Sequence, residues 1–122
     1  MVTFTHLQPG TSERVWQADG RIRQVPPLDT DLDELVVLAA HPDDETMGAG
    51  GLIRRVHAAG GRVTVMVATD GEASHPRSDS HTRTDLRSLR RAEVTRALRA
   101  LAPTAEVCFL GLPDGGLREN TA

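Results

Sequence analysis

The sequence predicts an α/β fold whose core is a parallel sheet. Three short apolar runs, rich in valine and leucine, alternate with two longer segments of helical periodicity. A strand–helix–strand–helix–strand order builds a parallel sheet through right-handed crossovers. Each apolar run also leads into a loop that carries carboxylates. Because the carboxyl ends of parallel strands meet at one edge of a sheet, these loops are expected to form one site.

The first strand is predicted at about residues 35–40, where an unbroken apolar run is typical of a strand buried on both faces. A helix is expected at about residues 46–60, because apolar side chains recur there at helical spacing and a glycine pair ends the segment. Asp44 or Thr46 is expected to cap its start, where carboxylates also favour the positive end of the helix dipole.

The second strand is predicted at residues 62–68 and is followed by a polar loop. A second helix is expected at about residues 83–101, because Pro103 enforces its end. The third strand is predicted at about residues 106–110 and contains Cys108, the only cysteine. A single cysteine excludes an intrachain disulfide, and its apolar neighbours predict a buried, inert thiol.

A chain of 122 residues fits one small domain. Residues 1–33 contain several prolines and glycines without sustained periodicity, so we expect an extended N-terminal arm with at most a short strand or a turn of helix. Residues 34–122 are expected to form the domain itself. Three strands make a thin sheet for an independent domain, and we therefore expect an incomplete fold.

Composition and charge exclude several classes of protein. The net charge of −3 leaves no basic surface for nucleic acid. No stretch approaches the roughly 20 apolar residues that a membrane-spanning helix needs. The N-terminus has no signal-peptide pattern, so the cytoplasm is the expected compartment.

The densest chemistry of the sequence lies directly after the first strand. His41, Asp43, Asp44 and Glu45 place four ionisable groups within five residues, which is costly unless a cation neutralises them. Imidazole nitrogen and carboxylate oxygen are zinc ligands, so we expect His41 and Asp44 to share an ion. Pro42 favours the sharp turn between them, and Asp43 would then act on water as a general base. The alternative is a solvated acidic helix cap with an incidental histidine.

A nucleotide site is the weaker interpretation of the glycines that follow. Gly48 and Gly50 fit the first two positions of the dinucleotide-binding pattern G-x-G-x-x-G, but Ile53 stands where the third glycine belongs. The carboxylates just before them would also repel a pyrophosphate. We therefore expect no nucleotide cofactor.

Three further residues are candidates for binding substrate or orienting the site. Arg90 lies on the apolar face of the second helix, where Glu93 is one turn away and can pair with it, so a structural ion pair and a site-orienting role both remain open. Asp70 and Asp114 each follow a strand and precede a glycine, which suits either a turn former or a site residue.

Five motifs in chain order resemble the PIG-L/LmbE family of zinc-dependent deacetylases, over about residues 35–117. They are Ala40-His-Pro-Asp-Asp-Glu45, Gly48-Ala-Gly-Gly51, Thr69-Asp-Gly-Glu72, Arg90-x-x-Glu93 and Leu112-Pro-Asp-Gly115. The resemblance implies a Rossmann-like three-layer sandwich with its site at the carboxyl ends of the strands. It also implies hydrolysis of an N-acetyl group on an amino sugar or related amide, with a small N-acetylated sugar or glycoconjugate as the partner.

By the same resemblance His41 and Asp44 are ligands of zinc or another divalent metal, Asp43 is the general base, and Arg90 and Asp114 belong to the site. The family's third metal ligand is a histidine in a later motif that this sequence does not match, so we expect the N-terminal portion of a longer enzyme. His75 or His81 is a less favoured substitute. The alternative function is a truncated, catalytically silent domain that binds a partner or forms a homo-oligomer through an exposed sheet edge.

Overall fold

A computed structural model describes residues 9–75 and 78–116. Within these residues the elements, in chain order, are α1 (Glu13–Ala18), α2 (Gly20–Gln24), β1 (Glu34–Ala39), α3 (Asp44–Ala58), β2 (Arg62–Thr69), α4 (Arg83–Leu101) and β3 (Glu106–Leu112). The three strands are parallel and lie in the order β1–β2–β3. The predicted α/β class, with its parallel sheet and alternating helices, is confirmed. No helix among the described residues is long and apolar enough to cross a membrane.

The N-terminal arm is more helical than expected, as far as the described residues show; its residues 1–8 lie outside them, as do residues 117–122 of the predicted domain. Asp19 ends α1 and caps α2, because its carboxylate accepts a hydrogen bond from the backbone N–H of Arg21 at 3.0 Å. Neither helix contains a buried residue. A local cap therefore starts α2 without a core to pack on, and a search for apolar periodicity does not detect such a helix. The division of the chain at residue 33 stays a prediction.

One face of the sheet carries the core. Alternate residues of β2 are buried there and join a cluster to which both long helices contribute; its buried members are Ala39, Ile53, Val56, Val63, Val65, Val67, Val94, Leu98 and Ala102. Two right-handed crossovers that step in the same direction across a sheet place both helices on the same face. The strand order explains why α3 and α4 share this face.

The opposite face of the sheet, called here the outer face, contradicts the prediction that the first strand is buried on both sides. Val36 and Leu38 are 58% and 70% exposed, and Leu110 of β3 is exposed as well. Cys108 also lies exposed, so the expectation of a buried thiol was wrong. Strand residues alternate between the two faces, and no described element covers the outer one. The described residues thus build two layers of the implied three-layer sandwich.

The two long helices begin in different ways. Thr82 starts α4 through a capping box, in which its hydroxyl accepts from the Asp85 N–H at 3.2 Å while the Asp85 carboxylate accepts from the Thr82 N–H at 2.9 Å. The N-cap of α3 is Asp43, whereas Asp44 or Thr46 was expected, and the Asp43 side chain makes no cap hydrogen bond. That side chain is held in the site instead.

Candidate active site

The loops that follow the three strands meet at Asp114. Its carboxylate lies 3.2 Å from Nε2 of His41, which follows β1, and accepts from the backbone N–H of Ala73, in the loop after β2, at 3.0 Å. The Asp114 N–H in turn donates to Glu72 at 3.1 Å. The convergence expected from the strand order is therefore present, and Asp114, which the sequence also suits to a simple turn, links all three loops.

His41 and Asp44 lie side by side at the start of α3. Nδ1 of His41 is 3.6 Å from Oδ2 of Asp44, and the backbone N–H of His41 donates to the same oxygen at 2.9 Å. Two atoms that each bind a tetrahedral zinc at 2.0–2.2 Å stand about 3.3–3.6 Å apart. The pair therefore has the spacing of two ligands of one ion. Asp114 lies at the other ring nitrogen, where a carboxylate commonly orients a histidine that binds a metal through its first nitrogen.

A third protein ligand does not accompany this pair in the part of the chain that the structure describes. No group of three histidine, cysteine or acidic residues is placed there to hold a metal ion. His75 contacts the hydroxyl of Ser74, and His81 contacts that of Ser80. Neither histidine completes a ligand set with His41 and Asp44, so the structure gives no support to the substitution considered from the sequence.

Arg90 makes the contacts that both interpretations of the sequence require. Its Nη1 donates to Glu93 at 2.9 Å, which is the expected ion pair within α4. Its Nη2 reaches across to the corner after β1 and donates to the Pro42 carbonyl at 2.7 Å and to Oδ2 of Asp43 at 2.8 Å. Burial lowers the pKa of Arg90, but the hydrogen bonds to Asp43 and Glu93 outweigh this effect and the pKa is raised. Arg90 therefore stays charged and holds the Asp43 carboxylate.

Asp70 lies at the same edge but is enclosed by arginines. Arg91 donates from Nε and Nη2 to its two carboxylate oxygens, at 2.7 and 2.8 Å, and Arg87 contacts it at 3.1 Å. The hydrogen bonds to Asp70 raise the pKa of Arg91, against a smaller opposing effect of burial. With both oxygens engaged, Asp70 fastens α4 to the end of β2. Its predicted site-orienting role stays a prediction.

Sequence reasoning missed three residues of this edge. Arg87 and Arg91 were not singled out, although their spacing of four places them on one side of α4 with Arg90 between them. Glu45 was considered only as a member of the acidic cluster. It is fully buried, and its carboxylate accepts from the backbone N–H of Asp43 at 3.0 Å. Its position at the end of the His-Pro-Asp-Asp-Glu motif was the available indication.

Asp43, Asp114 and Arg90 border an open cleft of about 410 Å³, a size within the range of small-molecule sites. Its lining residues are His41, Asp43, Gly71, Ala73, Ser74, Arg90 and Asp114. A ligand in this cleft would meet the predicted base and the predicted metal-binding histidine together.

Comparison with known proteins identifies the family. The protein-family model described as "PIG-L: GlcNAc-PI de-N-acetylase" matches residues 36–122 of the chain. This chain belongs to the PIG-L family. Two curated PIG-L relatives, from Tsukamurella paurometabola and Kineococcus radiotolerans, are each a 1D-myo-inositol 2-acetamido-2-deoxy-alpha-D-glucopyranoside deacetylase. They are 39% and 36% identical to the chain over 87 and 90 residues. The matches cover 63% and 70% of the chain but only 29% and 25% of the relatives.

Solved structures agree on the fold. N,N'-diacetylchitobiose deacetylase from Pyrococcus horikoshii aligns with a TM-score of 0.65 and 23% identity, over 88% of this chain and 41% of that protein. The 4-carboxy-2-hydroxymuconate hydratase GalB from Pseudomonas putida aligns with a TM-score of 0.60 and 28% identity, over 68% of this chain and 35% of that protein. The PIG-L fold thus occurs in a deacetylase and in a hydratase, and the reaction has to be argued from the site.

Proposed function

We propose that this chain provides the metal-binding corner and the general base of a deacetylase that removes an N-acetyl group from an amino sugar or related amide. The observation that carries the proposal is the corner after β1, where His41 and Asp44 have the spacing of two metal ligands beside an Asp43 that Arg90 holds at 2.8 Å. The curated relatives, which act on an acetamido sugar derivative, support this substrate class.

A divalent cation suits the donor atoms that the site offers. Zinc is the proposed metal, because imidazole nitrogen and carboxylate oxygen are among its usual protein ligands. His41 and Asp44 would hold it, with further ligands from beyond this pair. Such a cation, when bound, polarises an amide carbonyl and makes water more acidic.

The remaining steps use the chain's own residues. Asp43 accepts a proton as a water oxygen adds to the amide carbonyl carbon, and it returns the proton to the nitrogen when the C–N bond breaks, which leaves acetate and an amine. Arg90 orients the Asp43 carboxylate throughout the reaction. Asp114 accepts from Nε2–H of His41, which leaves the Nδ1 lone pair free on the side of Asp44.

Zinc stoichiometry and acetate release test the proposal together. The chain, supplied with zinc, is expected to release acetate from an N-acetylglucosaminyl compound. His41→Ala and Asp44→Ala are expected to abolish both stoichiometric zinc and acetate release, while the exposed control His81→Ala retains both. Full zinc content in the two site variants would refute the ligand assignment. Turnover of an unsaturated acid by hydration, with no acetate released from any acetamido sugar, would refute the reaction class.

The exposed outer face favours a second candidate, a catalytically silent domain that associates with a second copy of itself. Val36 and Leu38 on β1 and Leu110 on β3 give this face an apolar surface, of the kind that marks association sites. Light scattering tests it: a dimer without deacetylase turnover supports this candidate, and a strictly monomeric chain with normal turnover eliminates it. The cytoplasm stays a prediction from the sequence.

A further inference from the structure

Asp43 has a backbone conformation that residues other than glycine rarely adopt. Its φ is +106° and its ψ is −29°, and among the described residues it is the only non-glycine residue with a positive φ. The side chain and the backbone carbonyl crowd each other in this region, so the conformation is disfavoured unless neighbouring contacts enforce it. Backbone outliers of this kind cluster at functional sites, which prompts a search for the contacts that enforce this one.

Glu45 supplies the contact on the helix side. Its carboxylate is fully buried, and both of its oxygens are used: Oε2 accepts from the Asp43 N–H at 3.0 Å, and Oε1 accepts from the Thr46 hydroxyl at 2.7 Å. Burying a carboxylate costs free energy of desolvation. We therefore expect the two hydrogen bonds of Glu45, to one backbone N–H and one hydroxyl, to serve a structural purpose. The Asp43 N–H is the group whose direction changes when φ changes.

A second set of contacts holds the same peptide from the side of α4. Nη2 of Arg90 binds the Pro42 carbonyl and the Asp43 carboxylate at once. Gly71, itself at φ +67°, packs against the Pro42 ring so closely that a Cβ placed on it would lie 3.3 Å from the ring. Rotation of the Pro42–Asp43 segment is therefore opposed by Glu45 and by the separate contacts of Arg90 and Gly71.

The Asp43 side chain does not cap its own helix. An aspartate at an N-cap normally turns its carboxylate onto the backbone N–H groups of its own helix. At Asp43 no such hydrogen bond forms, and the carboxylate instead lines the cleft beside His41 and Arg90. We propose that Glu45 is a positioning residue, which holds Asp43 in the left-handed conformation and thereby directs its carboxylate into the cleft and away from the cap of α3.

Three substitutions test this inference, which depends on the proposed function for its effect on turnover. Glu45→Gln keeps an oxygen to accept from Asp43 and an amide to donate to Thr46, so we expect kcat to stay within about threefold of the parent. Glu45→Met has a similar length and no acceptor, and we expect kcat to fall about 100-fold with KM changed less than about threefold, as a small misplacement of a catalytic group does. Thr46→Ala, the control, removes only the hydroxyl contact and leaves kcat near the parent value.

A crystal structure of Glu45→Met gives a readout that does not depend on activity. We expect Asp43 to take a negative φ and to lose its contact with Arg90. If the Met variant does not fold, Glu45→Asp, which withdraws the carboxylate by one methylene, is expected to shift Asp43 in the same way. Asp43 unchanged in these variants, or a loss of kcat in Thr46→Ala equal to that in Glu45→Met, would overturn the inference. Inactivity of the parent would refute the proposed function and leave the structural test to decide the role of Glu45.

Discussion

Two pairs of carboxylates lie at the same edge of the sheet and have opposite surroundings. Asp43 and Asp44 follow β1, while Asp70 and Glu72 follow β2, and the sequence presents both as acidic turns after an apolar run. The side chains of the first pair are 59% and 50% exposed, and those of the second are 1% and 8% exposed. We therefore expect the exposed pair to contribute to the chemistry of the site and the buried pair to the stability of the fold.

The difference follows from where the arginines of α4 reach. Arg87 and Arg91 reach the buried pair and engage both oxygens of Asp70, which neutralises a charge that burial alone would make costly. Among the arginines of α4, Arg90 reaches the exposed pair and binds one oxygen of Asp43. Carboxylates that arginines occupy hold elements together, and carboxylates that remain open can meet a ligand. We therefore expect the loop after β2 to contribute mainly to stability and the corner after β1 mainly to chemistry.

The largest expected effect is the loss of turnover in Asp43→Asn. Asparagine has the same shape and is tolerated at positive φ, so the fold should persist, while the amide cannot accept a proton from water. We expect kcat to fall by about 10²–10⁴-fold and the free energy of unfolding to change by less than about 0.5 kcal/mol. Acetate release and urea unfolding measure the two quantities. A variant that is less stable but fully active would show that Asp43 contributes to stability and not to chemistry.

The next effect is a loss of stability in Asp70→Ala. Removing one member of a fully buried ion pair typically costs 3–5 kcal/mol, but Arg87 and Arg91 are partly exposed and can regain water, so we expect about 2–3 kcal/mol. Urea unfolding measures this loss, with Asp79→Ala as a control for removing an exposed aspartate. A loss below about 0.5 kcal/mol would show that the arginine contacts do not fasten α4.

The smallest effect concerns a third kind of carboxylate, exposed yet hydrogen-bonded. The hydrogen bonds from Thr82 lower the pKa of Asp85, most strongly through the side chain, against a small effect of desolvation. A lowered pKa means that this cap stabilises the fold above the unfolded-state pKa, near 4, and that the contribution is lost as the pH falls through the folded-state value. Thr82→Ala should therefore lower Tm more at pH 7 than at pH 3. An equal difference at both pH values would contradict the assignment.

Local patterns in the sequence were enough to determine the order and type of the main elements. The predicted second helix agrees with α4 at both ends, and each strand begins within a residue of its prediction, because apolar periodicity, Pro103 and the glycine turns act over short distances. The pairing of Arg90 with Glu93 and the proximity of His41 to Asp44 were predictable for the same reason. Both pairs lie three residues apart on a local turn or helix.

Which faces of the sheet are covered, and which charged side chains pair, was decided only by tertiary packing. An apolar run does not state whether one or both faces of its strand are covered, so Leu38 and Cys108 were expected to be buried and lie exposed. The reach of Arg91 to Asp70 spans 21 positions, and that of Arg90 to Asp43 spans 47. Contacts of this kind depend on the positions of whole elements, because burial and charge pairing are properties of the packed chain and not of neighbouring residues.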